Sequence, residues 1–266
     1  MFSPGTSACM ALTLLSFSAP SLAAEPTDQA AREFIREYEL TVKPLQTASG
    51  LAWWNANTTG RDEDFAEKEA LENKLNEVLS SKEQFERLEK INEGEISDPQ
   101  LARQIELLYL TYKEKQVDLS LLKRISSKET SIEKTFNSFR ATIGDDTYTD
   151  SQVREILRES KESEKRQQIW QAAKQVGQKV AADLRELVDY RNRAARQLGY
   201  ADFHAMKLEL NEQSQDEVLQ LFDELDELTR EPFARVKQEI DEALAEQYGI
   251  EVEALQSWHY HDPFFQ

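Results

Sequence analysis

From Ile169 onward the apolar residues fall at steps of three and four: Trp170, Ala173, Val176, Val180, Leu184, Leu187, Val188, Ala194, Ala195 and Leu198. That is the period of a helix with one face against a core. It predicts one long helix over 159–198, stopped by Gly199 in the left-handed conformation that ends many helices. Tyr200 and Phe203 follow at once and are placed to lock the turn onto that helix, and a shorter helix runs on to Asn211.

The same period recurs upstream. Ala31, Phe34, Ile35, Tyr38, Val42 and Leu45 form the inner face of a first helix capped by Thr27, with Pro44 set to kink or end it. The aromatic stretch Leu51–Asn55 extends that helix into a buried contact. Further helices are expected over 64–79, 81–92, 99–122 and 127–141; Asp98-Pro99 is the start signal of the third of these, a cap followed by proline at the first helical position. Gly144-Asp145-Asp146 reads as a turn, with a small hairpin over 142–148. Asp150 then caps a helix holding Val153, Ile156 and Leu157. Ser214 and Glu217 are spaced as a capping box. They open a helix over 218–247 with Leu221, Phe222, Leu225, Leu228, Phe233, Val236, Ile240 and Leu244 inward, kinked at Pro232 and ended by Gly249. No stretch of useful length alternates with the strand period of two, so the fold class is all-α.

Composition agrees with this. Eight glycines and seven prolines in 266 residues favour long helices over turn-rich sheets, and 39% hydrophobic residues suffice for a real core. Fifty Asp and Glu against 32 Lys and Arg leave a net charge of −18, which repels phosphate backbones and anionic lipid. Neither nucleic acid nor a membrane is therefore an expected partner. Residues 1–24 carry no charged side chain. They hold a short apolar run, Ala11–Phe17, with small residues before Ala24, and read as an export signal leading to a periplasmic or extracellular location, although no Lys or Arg precedes the run. Residues 25–266 are then one helical unit. The single cysteine, Cys9, lies in that leader, so no disulfide is available beyond it.

Candidate chemistry is sparse. The three histidines are His204, His259 and His261, and none opens H-E-x-x-H, which sets two imidazoles one helical turn apart with a carboxylate between them. No glycine loop for phosphate and no G-x-S-x-G nucleophile turn is present. No residue is assigned as catalytic or as a metal ligand. The chain closes on Trp258-His-Tyr-His-Asp-Pro-Phe-Phe-Gln266, unusually aromatic for a terminus. Phe264 and Phe265 are expected to meet a partner surface.

Five stretches carry a resemblance, in order along the chain: Ala31–Tyr38 (AREFIREY), Ala52–Thr59 (AWWNANTT), Leu187–Tyr200 (LVDYRNRAARQLGY), Val218–Leu225 (VLQLFDEL) and Ala245–Gly249 (AEQYG). Together they resemble the N-terminal part of the angiotensin-converting-enzyme-like zinc peptidyl-dipeptidases of bacterial type. The oligoendopeptidase-type zinc peptidases share the helical design and are the neighbouring alternative. The resemblance implies long antiparallel helices forming the lid and one wall of a zincin-type deep-cleft peptidase. It also implies removal of dipeptides from peptide C-termini, with zinc as the cofactor of the complete enzyme. The family's ligands and general base lie beyond the residues matched, so no zinc is assigned to this chain. The missing C-terminal half of the same domain is the implied partner, beside the peptide substrate. Tyr260 stands where the family holds the substrate's terminal carboxylate with glutamine, so Tyr260 and the adjacent His261 are the candidate substrate-binding residues. The family's chloride-binding arginine and tyrosine have no clear match. The other expectation is a complete helical binding protein that docks partners through its aromatic end and does no chemistry.

Overall fold

A computed structural model describes residues 24–262, with side chains described from Pro26; the proposed leader, Phe264 and Phe265 lie outside that range. Ten α-helices and one hairpin follow in the order α1 (Ala24–Thr59), α2 (Asp62–Leu79), α3 (Lys82–Asn92), α4 (Pro99–Glu114), α5 (Leu119–Ser138), β1 (Ala141–Ile143), β2 (Asp146–Tyr148), α6 (Asp150–Glu159), α7 (Ser163–Lys174), α8 (Val176–Gln197), α9 (Phe203–Leu210) and α10 (Gln215–Tyr248). Two 3-10 turns, Val252–Ala254 and Ser257–His259, complete the described chain. The fold is all-α, as the periodicity requires. The hairpin is two antiparallel three-residue strands paired Ala141 with Tyr148 and Ile143 with Asp146, turned at Gly144 with φ +60°.

The core is a series of small contact zones along the bundle. Ala31, Phe34 and Val42 of α1 meet Leu79, Leu88, Ile91, Leu101, Ile105 and Tyr112 of α2, α3 and α4. The hairpin's Ala141 packs with Val153 and Leu157 of α6 and Ile169 and Ala172 of α7. Leu121 and Leu122 of α5 meet Ala194 of α8, and Ala195 meets Met206 and Leu210 of α9. Asp98 accepts from the Gln100 and Leu101 N–H groups and caps α4, as its sequence signature indicates.

Several boundaries differ from the sequence reading. The helix expected over 159–198 starts only at Ser163 and is two pieces, α7 and α8, with Glu159 ending α6. The last carbonyls of α6, Leu157 O and Ser160 O, are taken by the Arg166 guanidinium, so the chain turns out instead of continuing. A second break falls at Gln175, whose N–H bonds back three residues to Ala172 O, with Gly177 just beyond. α4 ends at Glu114 rather than near residue 122, because Gln116 and Val117 close a tight turn before α5. α1 starts before Thr27 and runs through Pro44 to Thr59, and Trp53 and Trp54 are exposed rather than buried. Thr149, not Asp150, caps α6: Thr149 Oγ1 accepts from Gln152 N, and Gln152 Oε1 accepts from Thr149 N. At Ser214 only half of the box forms, Ser214 Oγ accepting from Glu217 N.

The largest departure is α10. Its periodicity is helical, but the stripe expected inward faces outward. From Gln215 to Ile240 every residue but Val218 and Lys237 is exposed. Phe222 is 63% and Leu228 73% accessible, and Leu221, Leu225 and Val236 are exposed as well. Leu244 and Ala245, near the C-terminal end, are its buried residues. Periodicity reports which face seeks cover, not which element supplies it.

Candidate functional site

The predicted site residues lie on the segment after α10. Gly249, with φ +64°, ends that helix in the left-handed region, and its N–H and that of Ile250 return to Glu246 O and Ala245 O. The chain then doubles back through the two 3-10 turns. It docks against α7, where most of its polar contacts go to one side chain that sequence reasoning missed. Arg166 is fully buried and faces no carboxylate among its contacts. Its Nε donates to Trp258 O at 2.7 Å, Nη2 to Tyr260 O at 2.8 Å, and Nη1 to both Ser160 O at 2.9 Å and Leu157 O. Its guanidinium also lies over the Tyr248 ring, 5.4 Å from the centroid. Burial pulls its pKa below the ordinary arginine range. One planar fork thus ties the end of α6, the start of α7 and the tail together. The only sequence signal was an arginine four residues ahead of Trp170 on the inner face of a charged helix, indistinguishable from a solvated one.

His259 sits beneath this fork. It is buried, with its ring 4.8 Å from that of Tyr248. Nδ1 accepts the Gln256 N–H at 2.8 Å, which assigns the hydrogen to Nε2, 2.7 Å from Ser163 Oγ. Burial first, then the charge of Arg166, holds its pKa below the usual histidine value. The charged and titratable groups around it are Arg166 from α7 and Tyr248 from α10, and neither stabilises an imidazolium as a carboxylate would. A base whose folded pKa is depressed contributes stability that is complete above its unfolded pKa, about 6.5, and is lost as pH falls through the folded value. Acidification below about pH 6 is therefore expected to loosen 256–262 before the rest of the chain. Amide exchange of that segment across a pH series checks this; a tail equally protected at pH 5 and pH 7.5, after correction for intrinsic exchange, would contradict it.

Tyr260 and His261 come together in one cavity of about 430 Å³, whose other walls include Ile240, Leu244 and Gln247 of α10. The Tyr260 hydroxyl is already engaged. It donates to Asp241 Oδ1 at 2.7 Å and accepts from Lys237 Nζ at 2.8 Å, while Lys237 also pairs with Asp241. Burial opposes the charged form of Lys237, but Asp241 and Tyr260 outweigh it and hold its pKa above the usual lysine range. His261 is exposed and lines the cavity rim. His204 is exposed on α9, away from both.

Among the described residues no group of three or more His, Cys, Asp and Glu side chains is arranged to hold a metal ion. His259 already uses both ring nitrogens, and His261 has only Asp262 beside it in sequence as a further ligand type. These residues do not fit a peptidase zinc centre, which takes three protein ligands around an open position.

What the fold and site define is a helical scaffold with an exposed apolar stripe on α10 and, among the described residues, no ion-holding cluster. The sequence profile described as angiotensin-converting enzyme matches residues 25–256, nearly the whole described chain, and the protein belongs to that family of peptidases. No curated protein matches it. Among the described residues no helix is long and apolar enough to cross a membrane.

Proposed function

We propose that this chain is the N-terminal, lid-and-wall part of an exported peptidyl-dipeptidase, inactive alone, and that the bare stripe of α10 is the seam against which the zinc-bearing half of the same domain packs. Membership of the family supports the reaction class. The observation that carries the seam is the exposed run of large apolar side chains Leu219, Leu221, Phe222, Leu225 and Leu228. Exposed apolar patches of this extent mark interaction surfaces. A second copy of α10 is a poor cover. The helix carries 11 acidic and 3 basic residues, so two copies face to face oppose charges of about −8 each. In the completed cleft Tyr260 and His261 line the wall met by the peptide's C-terminal end. His261 is the freer to contact it, since Tyr260 is held by Asp241 and Lys237. The alternative of a non-catalytic interaction protein has no specific observation in its favour.

The test extends the reading frame past Gln266 and compares the longer product with this chain. The longer product is expected to bind one zinc, release C-terminal dipeptides and protect the α10 stripe from labelling; this chain alone does none of these. Stoichiometric zinc or dipeptide release from this chain alone would refute the reading. Leu228→Lys and Phe222→Lys sharpen it. In this chain they should change stability by less than about 0.5 kcal/mol, as exposed substitutions do. In the longer product each should cost about 2 kcal/mol or more by placing a charge in the seam.

A further inference from the structure

A second cavity, also of about 430 Å³, lies where the end of α1, the last turns of α5, the hairpin and the α7–α8 break converge. It shares no lining residue with the Tyr260 cavity. Its walls are mainly apolar and aromatic: Phe136, Phe139, Tyr148, Val153, Ala173 and Val176. The size is within the range of small-molecule sites, which pair such walls with a few placed polar groups. Phe136 is 59% accessible, although its position on α5 is the period of an inward residue.

The polar groups differ in what they have left to give. Asn137 Nδ2 is spent on Asn57, donating to its backbone O at 3.0 Å and its Oδ1 at 3.1 Å. Glu133 pairs with Lys68, 3.1 Å away and shared with Glu72, and Asp150 pairs with Arg154 at 2.8 Å. Arg140 has no carboxylate. Both of its hydrogen bonds leave through Nη1, to Asn137 O and Phe139 O, so it sits on the carbonyl end of α5 with Nε and Nη2 unbonded among the described residues. Arg140 is thus the one charged group of the lining with donors still to give, on a planar fork whose geometry suits a carboxylate.

We propose that this cavity binds a small carboxylate with an aromatic or branched apolar body, the carboxylate on Arg140 and the body between Phe136, Phe139 and Tyr148. A free acid and the C-terminal residue of a peptide present the same chemistry, and the probes separate them. Binding is followed by amide chemical shifts of the whole chain with 4-phenylbutyrate, its neutral amide, and a short peptide ending in phenylalanine with a free or an amidated terminus. Shifts are expected at 132–150 and 173–176. The acid should bind at least about tenfold more tightly than the amide, the difference one charge-assisted hydrogen bond makes. The free-terminus peptide shows the same preference if peptide ends are the natural occupant, and binds no better than its amide if free acids are. Arg140→Gln should erase the acid's advantage and leave the amide's affinity unchanged. Ala173→Leu should exclude both probes, and the exposed Phe136→Ser, which the fold does not depend on, should weaken both. Equal binding of acid and amide, shifts away from these residues, or binding unaltered in Phe136→Ser would overturn the proposal.

Discussion

Replacing Arg166 with methionine is expected to release the tail and to cost on the order of 3–5 kcal/mol. The side chain makes four hydrogen bonds to backbone carbonyls from a fully buried position. Bonds with a charged donor are worth about 1.5–3 kcal/mol each, and a buried acceptor left unpaired carries its own desolvation cost. The four do not simply add. Trp258 O and Tyr260 O regain water when the tail lifts, whereas Leu157 O and Ser160 O sit at the end of α6 and re-solvate less completely. The expected signature is therefore regional: amide exchange over 256–262 accelerates, Trp258 emission shifts to the red, and α1–α5 stay protected. Arg166→Lys should fall between, because an ammonium offers three donors from one point and cannot span four carbonyls. A methionine variant within about 1 kcal/mol of the parent, with the tail still protected, would show that the tail is held by Trp258 packing on Trp170 instead, whose rings lie 6.1 Å apart.

Arg166 also shows where the sequence is silent. Helix existence was legible because burial of one face imposes its period, and caps such as Asp98 announce themselves by residue type. The break at 160–162 was legible only to within a few residues, because it depends on a side chain reaching across space to Leu157 O and Ser160 O, and the break at Gln175 was not legible at all. The same holds for the candidate site. Tyr260 and His261 were reachable only by resemblance. Their holder, Arg166, and the Lys237–Asp241 pair on Tyr260 are ordinary charged helix residues until the fold brings them within 3 Å. On α10 the pattern was read correctly as apolar and helical. Its orientation was not, since periodicity names the sticky face without naming its cover.

Lys68→Met is the second substitution with a large expected effect, and its pH dependence is diagnostic. Lys68 is 1% accessible, on α2 and facing α5. Its ammonium lies 3.0 Å from Glu72, 3.1 Å from Glu133 and 3.2 Å from Thr130 Oγ1. Burial opposes the charge, but the two carboxylates outweigh it and raise the lysine pKa. Its stabilising contribution is complete below the ordinary lysine value and is lost only as pH rises through the raised one. Glu72 is itself raised, by burial first, with Lys68 opposing and Glu129 and Glu133 adding to it. One cation thus serves more negative charge than it can balance. Removing it strands two carboxylates against an apolar side chain, a change that costs about 3–5 kcal/mol when a buried pair is broken. Glu72, already raised by burial, then loses the cation that opposes the rise and binds its proton still more readily in the folded than in the unfolded chain. The variant's deficit should be largest at neutral pH and shrink as pH falls towards about 4.5. Adding Glu133→Gln to Lys68→Met should recover part of the loss, so the two substitutions are strongly non-additive in urea unfolding. A deficit independent of pH, or additive losses in the double variant, would mean that the methionine fails by packing and that the ammonium carries no electrostatic role between α2 and α5.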